Sequence, residues 1–309
     1  MISVQKTRYL EDLICQQLFR FQRLVIEDID NEAVARIFSN AILSEEYCLF
    51  SNAIRTGDEY FHLLHSRIIR ALANRQSLPV VRFADGEYAF YRFTLGCNGL
   101  YKQAESVEAI KRVMPQHLAA MEYLADHGLL APLVFPGNSH VASRNFFSFK
   151  KQKRDSTGAE FLDFLRANSI NLNSANYIPF YVIYAYLSSG KFAAAVNGKN
   201  ICILNSDYNK ESCINWFAQF GSHPHLKFVD IPAEYVATRW EESREEILAE
   251  IPPETDLCLA GAGVGALFVC VDVAKICSLP IIDAGHVLNM MNSRVDKSNG
   301  ARLYTLRKQ

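Results

Sequence analysis

Asp256-Leu257-Cys258-Leu259-Ala260-Gly261-Ala262-Gly263-Val264-Gly265-Ala266 reads as a short apolar strand that runs into a glycine-rich turn and then an apolar helix. Pro280-Ile281-Ile282-Asp283 follows as a second buried strand, so the two frame a strand–turn–helix–strand unit. Working outward, the same alternation repeats. Strands are expected at Leu78–Phe83, Leu130–Phe135, Asn200–Leu204 and Lys227–Ile231. Helices are expected near 106–127, 207–220, 238–250 and 265–277, with another opened by the capping pair Thr157 and Glu160. Strands alternating with helices at this spacing predict an α/β fold with a parallel sheet and helices on both faces.

Residues 1–76 are expected to form an α-helical N-terminal extension, and residues 77–309 the α/β domain. Leu10, Leu13, Ile14 and Leu18 recur near helical spacing, as do Tyr60, Leu63, Leu64 and Ile68, and Thr56 with Glu59 makes a capping box. These helices are expected to bind an acceptor, to pair with a second subunit in a homo-oligomer, or to cover a sheet edge. Pro79 suits the first position of a strand better than its middle.

The 309 residues are half apolar, enough to bury a large core. With 32 basic against 33 acidic residues, no global field points to nucleic acid or an anionic membrane as the main partner. The one dense basic cluster, Lys150-Lys151-Gln152-Lys153-Arg154, reads as a solvated loop. Eight cysteines, at 15, 48, 97, 202, 213, 258, 270 and 277, include no C-x-x-C pair, and several lie inside apolar runs. That pattern predicts reduced, buried thiols rather than disulfides or a zinc site. The opening Met1–Arg8, followed early by Glu11 and Asp12, does not read as a signal peptide, and no apolar run approaches the ~20 residues of a membrane helix. A soluble, cytoplasmic protein without a membrane span is expected.

Parallel sheets take their ligands at the carboxyl ends of their strands. This directs attention to Ala84–Glu87, Asn205–Asp207, Gly261–Gly265 and Asp283–His286. In Arg82-Phe83-Ala84-Asp85-Gly86-Glu87, two carboxylates at i and i+2 would face one side if the backbone is extended, and Gly86 would admit a ligand closely. Such a pair suits Mg²⁺ or Mn²⁺, whose other ligands are water and phosphate oxygens. The plainer alternative is a polar turn in which Asp85 caps a helix and Glu87 is solvated. The glycine turn has three readings: a phosphate cradle, a dinucleotide fingerprint made by Gly261, Gly263 and Ala266 with Asp283 as ribose ligand, or a turn packed tightly on its sheet. Asp283 and His286 could orient a donor or move a proton; a structural hydrogen bond is the rival. Asn205-Ser206-Asp207 reads as an N-cap, and Asn138-Ser139-His140 as a loop. Tyr177, Phe180, Tyr181 and Tyr184 suit a core element as well as a stacking surface.

Arg82–Glu87 and the closing Asp283-Ala284-Gly285-His286 together resemble the GT-D-fold glycosyltransferases, the group defined by an Asp-x-Glu motif. In that family the first motif characteristically reads Arg-Phe-Gly-Asp-Gly-Glu and the late strand ends in Asp-Ile-Gly-His. The resemblance runs from about Pro79 to about Asn289. It implies that residues 77–309 form a GT-D-type domain with a Rossmann-like, largely parallel sheet, a nucleoside-diphosphate-sugar donor, with UDP the expected nucleotide, and a divalent metal, Mn²⁺ or Mg²⁺. Hexosyl transfer to a hydroxyl of a glycan, glycoprotein or glycolipid is implied with them. Asp85 and Glu87 become the metal site, with Arg82 and Gly86 shaping it; Gly261, Gly263, Asp283 and His286 line the donor side. Ala84 stands where the family has glycine, the turn at 261–265 is richer in glycine, and Asn205 stands where an acidic residue is expected. His286 or Asp207 is the candidate base for the acceptor's proton. Two other classes remain open: an NAD(P)-dependent oxidoreductase using 261–266, and a non-catalytic nucleotide-binding module.

Overall fold

The computed structural model describes residues 22–26, 47–51, 57–99, 101–133 and 158–292. Thr56, Thr157, the Leu10–Leu18 pattern, the Asn138–His140 stretch and the basic cluster at 150–154 lie outside them, as do the side chains of Cys48 and Tyr181. The strands are β1 Gln22–Ile26, β2 Tyr47–Ser51, β3 Leu78–Phe83, β4 Leu129–Pro132, β5 Asn200–Asn205, β6 His225–Asp230, β7 Leu257–Gly261 and β8 Pro280–Asp283. The N-terminal extension read as wholly helical therefore needs correcting, because β1 and β2 lie in it and pair in parallel as a separate two-stranded sheet. Leu24-Val25-Ile26 and Tyr47-Cys48-Leu49-Phe50 carry the β-branched and aromatic types that favour extended backbone, a signal the helical spacing elsewhere in the stretch obscured. The expected helix at its end is present as Gly57–Asn74, and it buries Tyr60, Leu64 and Ile68 completely.

The other six strands form one all-parallel sheet in the order β4-β3-β8-β7-β5-β6. β8, the last strand in the chain, sits between β3 and β7. β3, β4 and β8 are buried along their whole length. Successive side chains of a strand face opposite sides, so both faces of the sheet are covered. At the edge, β6 alternates between exposed and half-buried residues until Val229. Pro79 is the second residue of β3 rather than the first; it precedes the β4 ladder, which opens opposite Val80, but lies within the β8 ladder, opposite Ile281.

Several helix boundaries moved. The helix expected from 207 begins at Lys210, because Asn209, not the Asn205–Asp207 stretch, caps it by accepting from the Ser212 N–H at 2.9 Å. The helix expected over 238–250 is broken into Val236–Arg239, a 3-10 turn at Trp240–Glu242, and Arg244–Ala249. Past the glycine turn, Ala266–Asp272 is α-helical and Val273–Cys277 widens into a π turn. Helix Val107–His127 matches its expectation, with the Ser106 hydroxyl accepting from the Ala109 N–H. Among the described cysteines, 97, 202, 213, 258 and 270 are buried and free, and Cys277 is half-buried. No helix among the described residues is long and apolar enough to cross a membrane.

His117 is fully buried on the long helix, packed against the rings of Phe90 at 4.7 Å and Phe268 at 4.2 Å. Its Nε2 faces the Ala237 carbonyl at 2.9 Å and must be the donor, so Nδ1 accepts from the Tyr91 hydroxyl at 3.2 Å. Burial pushes its pKa down from 6.5 to about 4, against the pull of the Ala237 carbonyl. Between those values the unfolded chain takes up a proton that the native state refuses, so stability falls as pH drops from 6.5 to 4, by on the order of 3 kcal/mol in all. Urea unfolding at pH 7 and pH 4.5 should show a smaller acid loss in His117→Gln than in the wild type. An unchanged pH slope would refute the assignment.

Candidate functional site at the strand ends

The strand order brings four separate stretches of sequence to one edge. Val80 pairs with Ile282, Ala260 with Asp283 and Asn205 with Gly261. Consequently Asp85 and Glu87 after β3, Gly285 and His286 after β8, Gly261 and Gly263 around the end of β7, and Asn205 at the end of β5 share the carboxyl edge of adjacent strands.

The Asp85–Glu87 stretch is not extended, and the same-side geometry expected of it is corrected. Ala84 is the N-cap of a helix, Asp85–Tyr91, and Glu87 is its third residue, whose Oε2 accepts from the Ala84 N–H at 2.8 Å. The sequence lacks a hydroxyl cap here, and the glutamate reaching back supplies half of a capping box. Ala84 adopts φ −138° and ψ −158°, open to any L residue, so its replacement of glycine costs the backbone nothing. Tyr88 pins the turn by directing its hydroxyl at the Leu133 carbonyl, 2.7 Å away, and the Phe83 carbonyl at 3.1 Å. Burial lifts the Glu87 carboxyl to about 7; the Asp283 charge adds to this, while the Ala84 N–H and Arg82 oppose it.

Behind the carboxylates lies a buried ion pair. Arg82 Nη2 donates to Asp283 Oδ1 at 2.7 Å and Nε to the Asp283 carbonyl at 2.8 Å, while Nη1 reaches the Tyr184 hydroxyl at 2.5 Å. Phe180 and Tyr184 stack against the guanidinium, with centroids 5.3 and 4.9 Å away. Burial works against both charges; Arg82 nevertheless ends above the usual arginine range because Asp283 and Tyr184 hold its proton. Asp283 is raised by burial and pulled back by Arg82 and the Gly285 N–H. Expected on the donor side, Arg82 and Asp283 instead turn their polar groups to each other. The pair is internally neutral, so the charge of this edge is set by Asp85 and by Glu87 when it is ionised.

The glycines divide into two kinds. A Cβ on Gly261 would meet Leu288 at 2.8 Å, and one on Gly265 would meet Val236 at 2.4 Å. Gly263, at φ +54°, seats the Gln103 side chain, whose Oε1 accepts the Val264 N–H at 2.8 Å. The glycine turn is thus filled by the protein itself, as the packed-turn reading expected. Gln103 was not read from the sequence; a lone glutamine in a connection carries no signal of the partner it meets 161 residues away. Gly86 is the other kind, because a Cβ there would find no atom within 4 Å. A glycine inside a helix costs it about 1 kcal/mol relative to alanine, and no packing requires this one. Its bare Cα leaves room beside the two carboxylates.

His286 opens helix His286–Met291, and its Nδ1 lies 3.3 Å from the Asn289 amide nitrogen, which also reaches the Tyr101 hydroxyl at 3.3 Å. Asn205 is occupied locally, donating to the Asp207 carbonyl at 2.6 Å and accepting from the Ser206 N–H. Asn292, also unread in the sequence, ties this turn to the last helix through the Asp207 carbonyl and the Asn209 N–H.

The Asp85–Tyr91 helix ends unusually. The Phe93 N–H bonds to the Phe90 carbonyl and the Thr94 N–H to the Ala89 carbonyl, the two closures of a Schellman motif. The left-handed position of that motif normally holds glycine; here it is Phe93, at φ +57° and 37 % exposed. The conformation costs an L residue roughly 1–2 kcal/mol, and the buried part of Phe93 offsets some of it.

As metal donors, Asp85 and Glu87 offer hard oxygens. No group of three or more histidine, cysteine or acidic residues suited to a metal occurs among the described residues. Two carboxylates, with water and phosphate completing the shell, is the usual manner of holding Mg²⁺ with a diphosphate, so the donor types match that mode rather than an all-protein cage, although i and i+2 side chains of a helix do not face each other.

The chain matches no protein-family model and no curated protein. It is similar to three solved structures. One is described as the highly conserved domain of unknown function 1792 with a distinct glycosyltransferase fold, at 15% identity over 84% of this chain and 83% of that one, TM-score 0.46. Another is a selenomethionine-substituted domain of unknown function 1792, at 16% identity over 75% and 83%, TM-score 0.44. The third is a new glycosyltransferase (DUF1792) from Streptococcus sanguinis, at 14% identity over 72% and 80%, TM-score 0.43.

Proposed function

We propose that the chain is a glycosyltransferase that moves a sugar, a hexose by preference, from a nucleoside-diphosphate donor to an acceptor hydroxyl on a glycan, glycoprotein or glycolipid. UDP is the proposed nucleotide and Mn²⁺ or Mg²⁺ the cofactor. The observation that carries this reading is Gly86, a helical glycine without a packing role, set between two carboxylates at the ligand-binding edge of a parallel sheet. A bound divalent cation supplies charge neutralisation for the departing diphosphate. Asp85 and Glu87 are the residues to hold it, Glu87 being oriented by the Ala84 N–H. The Arg82–Asp283 pair fixes β3 against β8 and so keeps the Asp85 helix and His286 in place. With Asn289 donating to Nδ1, neutral His286 carries its proton on Nε2 and acts as a donor to a reacting oxygen. Exposed Asp207 is then the better candidate base. Two observations weigh against the dinucleotide reading: the would-be ribose ligand Asp283 is buried against Arg82, and the Val264 N–H is taken by Gln103.

The test is the melting temperature with Mn²⁺ and UDP, GDP or NAD(H). A nucleoside diphosphate at 100 times its Kd should add about 2.7 kcal/mol, and Asp85→Asn should abolish the gain without altering the unliganded Tm appreciably. Gly86→Ala is expected to stabilise the helix by about 0.5–1 kcal/mol while weakening the same response. Full nucleotide response in both variants refutes the metal site. Stabilisation by NAD(H) without metal favours the oxidoreductase, and binding without turnover on any acceptor favours a nucleotide-binding module.

A further inference from the structure

Asn289 stands three residues after His286 on the helix His286–Met291, so the two side chains share a face. Its amide nitrogen lies 3.3 Å from His286 Nδ1 and 3.3 Å from the Tyr101 hydroxyl oxygen, and the two hydrogens of that one group serve both. An imidazole nitrogen that accepts carries no proton, so neutral His286 is held with its hydrogen on Nε2. The Tyr101 oxygen accepts from the same amide, which leaves the phenolic hydrogen to be donated away from Asn289. The carbonyl end of the amide in this place would reverse both roles, drawing a proton onto Nδ1 and the phenolic hydrogen toward Asn289. Tyr101 is anchored by the backbone after it. Asn98 Oδ1 accepts the N–H groups of Gln103 and Ala104, the Lys102 carbonyl accepts from the Tyr235 N–H at 2.7 Å, and Gln103 is seated on Gly263. Tyr101 itself is 46 % exposed, and His286 and Asn289 are half-buried. The three therefore meet at the solvent-facing carboxyl end of β8, beside the strand that leads to Asp85.

We propose that Asn289 is a positioning residue, which sets His286 Nε2–H and the Tyr101 hydroxyl as two hydrogen-bond donors to the oxygens of the leaving diphosphate. The inference rests on the glycosyltransferase reading and adds Asn289 and Tyr101 to that site. Negative charge grows on the diphosphate as its bond to the sugar breaks, so hydrogens already held toward those oxygens bind more strongly in the transition state than in the ground state. The same hydrogens directed at an acceptor hydroxyl would draw electron density from the nucleophile, so the leaving group is the side they serve. An amide suits the position because it is neutral and can donate twice. A carboxylate there would accept from Nδ1 and leave Nε2 without a hydrogen.

The experiment joins two measurements on the full chain: the tautomer of His286 from the nitrogen-15 NMR of its neutral ring at about pH 9, and titration with UDP and Mn²⁺. Both are run on the wild type, Asn289→Asp, Asn289→Leu and Tyr101→Phe. The wild type is expected to show the Nε2–H tautomer without ligand. Asn289→Asp should convert it to Nδ1–H, Asn289→Leu should leave a mixture, and Tyr101→Phe should leave it unchanged. Each variant should bind UDP with Mn²⁺ about tenfold more weakly, the usual worth of a hydrogen bond to a charged group. A purely structural role for Asn289 would not move the tautomer. An Nδ1–H tautomer in the wild type, or an unchanged one in Asn289→Asp, overturns the proposal while leaving the transferase reading intact. Wild-type UDP affinity in Tyr101→Phe and Asn289→Leu also overturns it, because a loss confined to Asn289→Asp is then charge repulsion. No UDP response in the wild type sinks the transferase reading and the diphosphate with it, whereas the tautomer exchange in Asn289→Asp would still sustain the positioning role.

Discussion

Asp283→Ala is expected to lower the unfolding free energy by about 3–5 kcal/mol, because it strands the Arg82 guanidinium without its counter-charge. Three of the contacts that hold Arg82 and β3 in place end on Asp283: Nη2 to Oδ1, Nε to the carbonyl, and the Arg82 N–H to Oδ2 at 3.2 Å. The carbonyl survives the substitution; both carboxylate contacts do not. Tyr184 and the stacked Phe180 cannot take up the charge, since they offer a hydroxyl and ring faces only. Urea unfolding should show a lower Cm at unchanged m, the sign of a less stable native state rather than an altered denatured one. Replacing both partners with apolar residues, as in Arg82→Met with Asp283→Leu, should restore part of the loss, because no unpaired charge then remains buried. A single-mutant loss below about 1 kcal/mol would mean that water reaches the guanidinium and that the pair is not the brace described here.

Gly285→Ala is expected to be of similar or greater severity. The residue sits at φ +40° and ψ −119°, and a Cβ there would come 1.7 Å from Arg82 Nη2 and 2.6 Å from its Cζ. Backbone strain and overpacking each cost roughly 1–3 kcal/mol, and the guanidinium cannot retreat without leaving Asp283. A loss of about 3–5 kcal/mol, or failure to accumulate as folded protein, is expected by circular dichroism and thermal melting. Gly86→Ala is the matched control, since the same added methyl there meets open space. Equal stability of the two variants would show that the close approach of Gly285 to Arg82 is not a feature of the folded state.

The residue types that gather at the carboxyl edge of the sheet are legible in the sequence. Asp85, Glu87, Asp283 and His286 were found because each follows an apolar run with strand character, and parallel sheets bind at strand ends. Their geometry was not. An i, i+2 carboxylate pair reads the same in a strand and in a first helical turn; the Glu87 carboxylate accepting from the Ala84 N–H distinguishes them. Likewise the glycine turn carries the same letters whether it cradles a phosphate or Gln103.

The alternation of strands and helices, and with it a parallel α/β sheet, is written locally along the chain. β3 at Leu78–Phe83 and β8 at Pro280–Asp283 lie where their apolar runs placed them, because a run of β-branched and aliphatic residues bounded by turn residues is a local property. The insertion of β8 between β3 and β7, by contrast, is a matter of long-range packing. That placement brings Arg82 and Asp283 together across 201 residues, and with them Tyr184 and Gly285. The physical reason is that burial period and turn chemistry are written within a few residues, whereas a buried charge selects its partner from the whole folded chain, and nothing in its own neighbourhood names that partner.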